Sequence, residues 1–120
     1  MVARLRRFLH RLTESDEERL AEEIRAWAAT VPDVVPIAYA PLRKRVKVAG
    51  VVKRITVRPV EGFESLEALI TDGTGELAVV WMGRRQIPGL TLGTRVVVEG
   101  VVGEQRGARK MVNPSFEFAA

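Results

Sequence analysis

From Val46 onward, apolar residues recur at roughly every second position in short runs broken by glycine, the pattern of half-buried strands. Five runs result: Val46 to Arg58, Phe63 to Thr71, Glu76 to Met82, Arg95 to Val102, and Arg109 to Phe118. Turn chemistry separates them at Glu61-Gly62, at Asp72-Gly73-Thr74-Gly75 and around Gly103 to Gly107. Between the third and fourth runs, Gly83 to Leu92 contains Pro88 and Gly89 and predicts a short helical or irregular connection. The first run changes parity along its length. Val46 and Val48 lie on one face while Val51, Ile55 and Val57 lie on the other, so a bulge is expected near Gly50. Gly100, which follows Val96 and Val98, is read as the same device. A long, bent first strand lets a five-stranded sheet contribute to both halves of a small barrel. The expected fold class is therefore mainly β, a five-stranded Greek-key OB barrel. The usual ligand face of that fold is strands two and three, with the loops joining strands one to two and four to five.

Upstream of the strands the period changes to that of a helix. Leu5, Phe8, Leu9 and Leu12 share one face of Val2 to Leu12, and Arg4, Arg6, Arg7, His10 and Arg11 surround the remainder, giving a short basic amphipathic helix. Ser15 and Glu18 form a capping-box pattern, with Asp16, Glu17 and Glu18 in the first turn, where the helix dipole favours negative charge. A second helix, or a bent continuation of the first, then carries Leu20, Ile24 and Trp27 and ends before Pro32. Pro32, Pro36 and Pro41 punctuate an extended linker, Val31 to Leu42. The expected organisation is a helical arm and linker over residues 1–42 and the barrel over 43–120. So large an apolar stripe must be covered. Three readings remain open: packing on the chain's own barrel, a homodimer contact, or a basic patch touching nucleic acid or a membrane surface, the last being a poor anchor alone.

The 120 residues suffice for one core plus an appendage, and 47% hydrophobic with 28% charged residues is a globular composition. With no cysteine, disulfides, thiolate metal sites and cysteine nucleophiles are excluded. His10 is the one imidazole and reads as a solvated polar-face residue, so no metal and no cofactor is expected. No apolar run approaches the ~20 residues of a membrane span, and Met1 to Leu12 lacks a secretory apolar centre, so a cytoplasmic location is expected. Glu61, Glu64, Glu67 and Glu76 are scattered, which gives no converging pair of carboxylates for acid and base work. The Asp72 to Gly75 turn reads as a tight hairpin, and no Gly-Lys-Ser or Gly-Lys-Thr phosphate loop occurs. An enzyme is not expected.

Net charge is +4, with an uneven distribution: residues 41–120 carry thirteen basic against eight acidic side chains. Arg43, Lys44, Arg45, Lys47, Lys53, Arg54 and Arg58 occur with no acid between Pro41 and Val60. Such a stripe suits a phosphate backbone, and it equally suits a sheet edge protected from pairing with other chains. Aromatic residues are only 6% of the chain, so phosphate contacts would have to carry the affinity, with weak sequence preference and strong salt dependence. The candidate contacts are Lys53, Arg54 and Arg58, then Arg84 and Arg85 as the strongest pair, and Arg106, Arg109 and Lys110 around the last hairpin. Trp81 shares the parity of Leu77 and Val79, which favours the core. At the barrel mouth it would be the best stacking platform available.

Three stretches carry a family resemblance: Leu69-Ile70-Thr71-Asp72-Gly73-Thr74-Gly75-Glu76-Leu77, Leu92 through Val102, and Met111 through Glu117. Through them the region from about Arg45 to Phe118 resembles nucleic-acid-binding OB-folds of the anticodon-domain type, most closely the wedge domain of bacterial branched-DNA helicases. The whole chain, with Ser15-Asp16-Glu17-Glu18 and Trp81 through Gly89, is also similar to small stand-alone actinobacterial OB-fold proteins. One departure matters. Wedge domains place two consecutive aromatics and a third four residues later, where this chain has Trp81, Met82 and Gln86, so fork-splitting is not implied. The expected function is a non-catalytic module for single-stranded or structured DNA or RNA. The alternative is an adaptor that recruits a partner or a second copy through its N-terminal helices.

Overall fold

Residues 16–119 are described by a computed structural model. The helix expected over Val2 to Leu12 and the Ser15 cap lie outside the described residues. Helix α1 occupies 16–28, and six strands follow: β1 (Arg45–Val60), β2 (Phe63–Thr71), β3 (Glu76–Met82), β4 (Arg95–Gln105), β5 (Ala108–Val112) and β6 (Ser115–Phe118).

Strand β1 serves two partners because it bends. Arg45 to Val51 pair antiparallel with β4, and Val51 to Val60 pair antiparallel with β2, so Val51 has Arg95 on one side and Thr71 on the other. The register slips between Val52 and Arg54, which makes Lys53 the extra residue. The bulge therefore lies three residues beyond its expected place at Gly50. Gly50 has a different task. A Cβ there would stand 3.1 Å from both Ile70 Cδ1 and the Thr71 carbonyl oxygen, so its bare backbone lets β1 cross close over β2. From β2 the sheet continues antiparallel into β3, parallel into β5, antiparallel into β4 and back to β1, which closes a five-stranded barrel.

The run expected as one strand from Arg109 to Phe118 divides in two. Asn113 adopts φ of 49° and Pro114 has no N–H to donate, so the ladder stops there. β6 then turns back to pair with the first half of β4, Val96 to Glu99.

Inward alternation fills the barrel with Val48, Val52, Ile70, Leu77, Val79, Val96, Val98, Val102 and Met111, all buried. Each end is closed by a loop. Ile87 and Leu90 of the irregular β3–β4 connection bury over one end, in the same cluster as Trp81. The supposedly extended linker supplies part of the closure too, since Ile37–Tyr39 form a 3-10 turn whose Ile37 is buried in the core. Asp72 fixes that turn. Its buried carboxylate accepts the Ile37 N–H at 2.8 Å, the Thr74 N–H at 2.9 Å and the Thr74 hydroxyl at 2.6 Å.

Helix α1 packs on its own barrel, against the outer side of β1 and β4. Trp27 and Ala28 meet Ala49, Val97, Val31, Val34 and Ala119, and the Arg95 guanidinium lies 4.9 Å above the Trp27 ring. Gly73, at φ of 85°, sits directly beneath the helix. An added Cβ would come within 2.4 Å of the Ala21 carbonyl oxygen, so only glycine permits this approach. Among the described residues no helix is long and apolar enough to cross a membrane.

Candidate nucleic-acid interface

Since α1 occupies the β1–β4 side, no other helix among the described residues covers the outer face of β2, β3 and β5, although Ser65 and Val80 within it are buried. Alternation along these strands turns Glu67, Leu69, Ala78, Met82, Lys110 and Val112 outward, opposite the buried Leu66, Ala68, Val79 and Met111. Pairing aligns them in rows across the sheet. One row runs Arg54, Leu69, Ala78, Lys110, the next Thr56, Glu67, Val80, Val112, and a third Arg58, Ser65, Met82. With neighbouring strands ~4.8 Å apart, the first row places Arg54 and Lys110 roughly 14 Å from one another.

Over the middle of this face lies an open cleft of about 220 Å³. Glu67 and Ala78 line its strands, Arg58 enters from β1, and Arg106, Arg109 and Lys110 come from the β4–β5 hairpin. The hairpin has this shape because its two turn residues, Arg106 (φ 53°) and Gly107 (φ 80°), are both left-handed, as a tight two-residue turn between antiparallel strands requires. Lys110 Nζ donates to Gln105 Oε1 at 2.8 Å across the hairpin. Arg109 reaches the other way, donating from Nη2 to the Ala38 carbonyl at 3.0 Å, which ties the hairpin to the 3-10 turn. Arg58 Nε stands 3.6 Å from Glu67 Oε2. Among the described residues, four cationic side chains thus line the cleft with a single carboxylate.

The other expected contacts are distributed differently. Arg54 is exposed on the same face and has no ion pair with another described residue. Lys53, at the bulge, turns to Glu76 at 3.0 Å. Arg84 and Arg85, expected as the strongest pair, follow the far end of β3 and lie outside the cleft, with Arg85 Nε 2.6 Å from Glu64 Oε2. Trp81 takes the core place that its parity favours, and the stacking alternative falls. Its ring is 5% exposed and packs edge-on against Phe116 at 5.2 Å, so it presents no face to a stacked base. Its inward parity, shared with Leu77 and Val79, is the physical reason.

Several features of this face carry no signal that periodicity alone can find. The glutamates that look scattered along the chain stand beside cations once the strands pair: Glu64 by Arg85, Glu67 by Arg58, Glu76 by Lys53. Phe63, which shares the outward parity of Glu67, is 67% exposed, and Tyr39, next to the Ala38 that holds Arg109, is 80% exposed. No group of three or more His, Cys, Asp or Glu able to hold a metal ion occurs among the described residues.

No family model matches the chain, and no curated protein matches it in sequence. Its fold does have a counterpart. A chain from the structure of a replication protein A heterotrimer bound to single-stranded DNA superposes with a TM-score of 0.52, covering 76% of this chain and 70% of its own, at 18% identity. The fold is that of an OB barrel. In such barrels ligands lie across strands two and three, between the loops joining strands one to two and four to five. The cleft of Arg58, Glu67, Ala78 and the β4–β5 hairpin falls in that position.

Proposed function

We propose that this chain is a non-catalytic OB module that binds single-stranded or structured nucleic acid mainly through its phosphate backbone. The observation that carries the reading is the concentration of Arg58, Arg106, Arg109 and Lys110 around one cleft on the open face of the barrel. Phosphates are favoured partners for such a site, because each neutralised phosphate releases condensed counterions. Arg106 and Lys110 are the leading contacts, since neither has an acidic partner among the described residues. Arg58 joins them, Arg54 extends the track along its row, and Lys53, Arg84 and Arg85 form an outer fringe. The stretches around Leu69 to Leu77 and Met111 to Glu117 that resemble helicase wedge domains support the same class of partner, as does the single-stranded DNA held by the replication protein A assembly. Fork separation is not part of the proposal, because Met82 and Gln86 stand where the wedge carries aromatics. The adaptor alternative draws less support, since α1 turns Trp27 and Ala28 into its own barrel.

A titration of the ¹⁵N-labelled protein with a short single-stranded oligonucleotide at low salt tests the proposal. Amide shifts should concentrate on β2, β3 and the hairpin from Gln105 to Lys110. Absence of binding, or shifts confined to α1 and β6, would overturn it.

A further inference from the structure

The cleft contains one group that a phosphate would avoid. Glu67 is turned outward near the middle of β2, its side chain is 23% exposed, and it lines the cleft alongside four cations. Neither of its oxygens accepts a hydrogen bond from another described residue, and Arg58 Nε at 3.6 Å is beyond hydrogen-bond length. The site is therefore cationic at its rim with an uncapped acceptor at its floor. A ligand that fits must be anionic outside and must present N–H donors inside. One nucleotide unit does both, with its phosphate on the hairpin cations and its base edge on Glu67.

The bases differ in what they offer a carboxylate. On an unpaired base the Watson–Crick edge is free, and guanine alone presents two adjacent donors there, N1–H and N2–H, enough to occupy both carboxylate oxygens. Adenine and cytosine offer one exocyclic amine, and thymine or uracil a single N–H flanked by two carbonyls that a carboxylate repels. Arg58 completes the match. A guanidinium beside the carboxylate supplies a donor for guanine O6, the remaining group on that edge. We infer that Glu67, with Arg58, forms a guanine-selective base subsite within an otherwise sequence-tolerant phosphate track. This inference rests on the nucleic-acid reading above and adds to it one specificity-determining position.

The test uses fluorescence anisotropy with a labelled twelve-nucleotide oligothymidine and variants carrying one central guanine, 7-deazaguanine, inosine, cytosine or adenine. A bidentate base contact corresponds to about a tenfold preference, so guanine should bind about tenfold tighter than oligothymidine. The 7-deaza analogue keeps N1–H and N2–H and should retain the gain, whereas inosine lacks the 2-amino group and should lose most of it. Glu67→Gln, which is nearly isosteric, should abolish the preference while tightening binding of oligothymidine, because a negative charge leaves the cleft. Equal affinity for all the oligonucleotides, a preference for cytosine or adenine, or a guanine preference that survives Glu67→Gln would overturn the inference and leave the phosphate reading standing. Failure to bind oligothymidine and every variant at low salt would overturn both. The base-analogue series is read on the wild-type chain, so it decides the question even if the substituted protein folds poorly.

Discussion

Replacing Arg106 and Lys110 together by alanine removes two of the four cations that line the cleft while leaving the barrel intact, because Arg106 is exposed at the hairpin turn and Lys110 points outward. For single strands, each neutralised phosphate contributes about 0.7 to the slope of log affinity against log salt, so losing two contacts should flatten that slope by about 1.4. Between 50 and 200 mM salt, a fourfold change, the double variant should lose about sevenfold less affinity than the wild type. Anisotropy with labelled oligothymidine at four salt concentrations measures both slopes, and a thermal melt confirms that the variant remains folded. The control is Arg84→Ala with Arg85→Ala. These neighbours lie outside the cleft and Arg85 is already paired with Glu64, so their removal should change the slope by less than about 0.7. A double variant at positions 106 and 110 that binds more weakly with an unchanged slope would show that these side chains do not neutralise phosphate. A larger change from the pair at 84 and 85 would move the track to the end of β3.

Three further outcomes follow from the packing. Asp72→Ala strands the buried Ile37 N–H and should cost about 2–3 kcal/mol in urea unfolding with an unchanged m-value, whereas a loss below about 0.5 kcal/mol would contradict the assigned role. Gly73→Ala combines a left-handed backbone with a Cβ directed at the Ala21 carbonyl, so it should cost about 1–3 kcal/mol and speed proteolysis within 16–28; unchanged protection of that segment would refute the close approach. Trp81→Phe should lower stability by about 1–3 kcal/mol yet leave oligonucleotide affinity within about twofold, and a tenfold loss of affinity would restore the ring to the interface.

Strand identity was legible where one face of the sheet meets water. Phe63 to Thr71 and Glu76 to Met82 begin and end where they are expected, because the Glu61-Gly62 and Asp72 to Gly75 turns bound them and Leu66, Ala68, Ile70, Leu77, Val79 and Trp81 keep one parity apolar and buried. The bulge was misplaced for the opposite reason. Between Val46 and Val52 both faces of β1 are covered, the inner by the core and the outer by α1 through Ala49, so apolar residues stand on both parities and alternation loses its meaning. The split at Asn113-Pro114 was visible as a proline but not as a reversal, since its consequence depends on which strand β6 can reach. The cleft was harder still. Arg84 and Arg85 are adjacent in the chain, which makes them look like a pair, whereas Arg58 and Arg106 line one cleft only after a barrel has closed around 47 intervening positions. Cross-strand partners such as Glu67 and Arg58 depend on register, and register is set by the turns and the bulge together.

Arg109 has a different part from its neighbours in the cleft. Its guanidinium donates to the Ala38 carbonyl, the Ala38 N–H donates to the Thr74 hydroxyl, that hydroxyl donates to Asp72, and Asp72 holds Ile37. One chain of hydrogen bonds thus runs from the cleft wall to the plug of the barrel and on to the turn beneath α1. A hairpin joined to its barrel only by strand pairing can hinge at its base, while one also tied by a charge-assisted hydrogen bond from a guanidinium is restrained in its height above the sheet. On the proposed reading, this tie makes Arg109 a positioning residue for Arg106 and Lys110. Arg109→Gln removes its charge, and if the role is positional the salt slope should remain within about 0.3 of the wild type while affinity falls several-fold and the amides of Gln105 to Ala108 exchange faster. A slope flatter by about 0.7, with hairpin exchange unchanged, would place Arg109 on a phosphate instead.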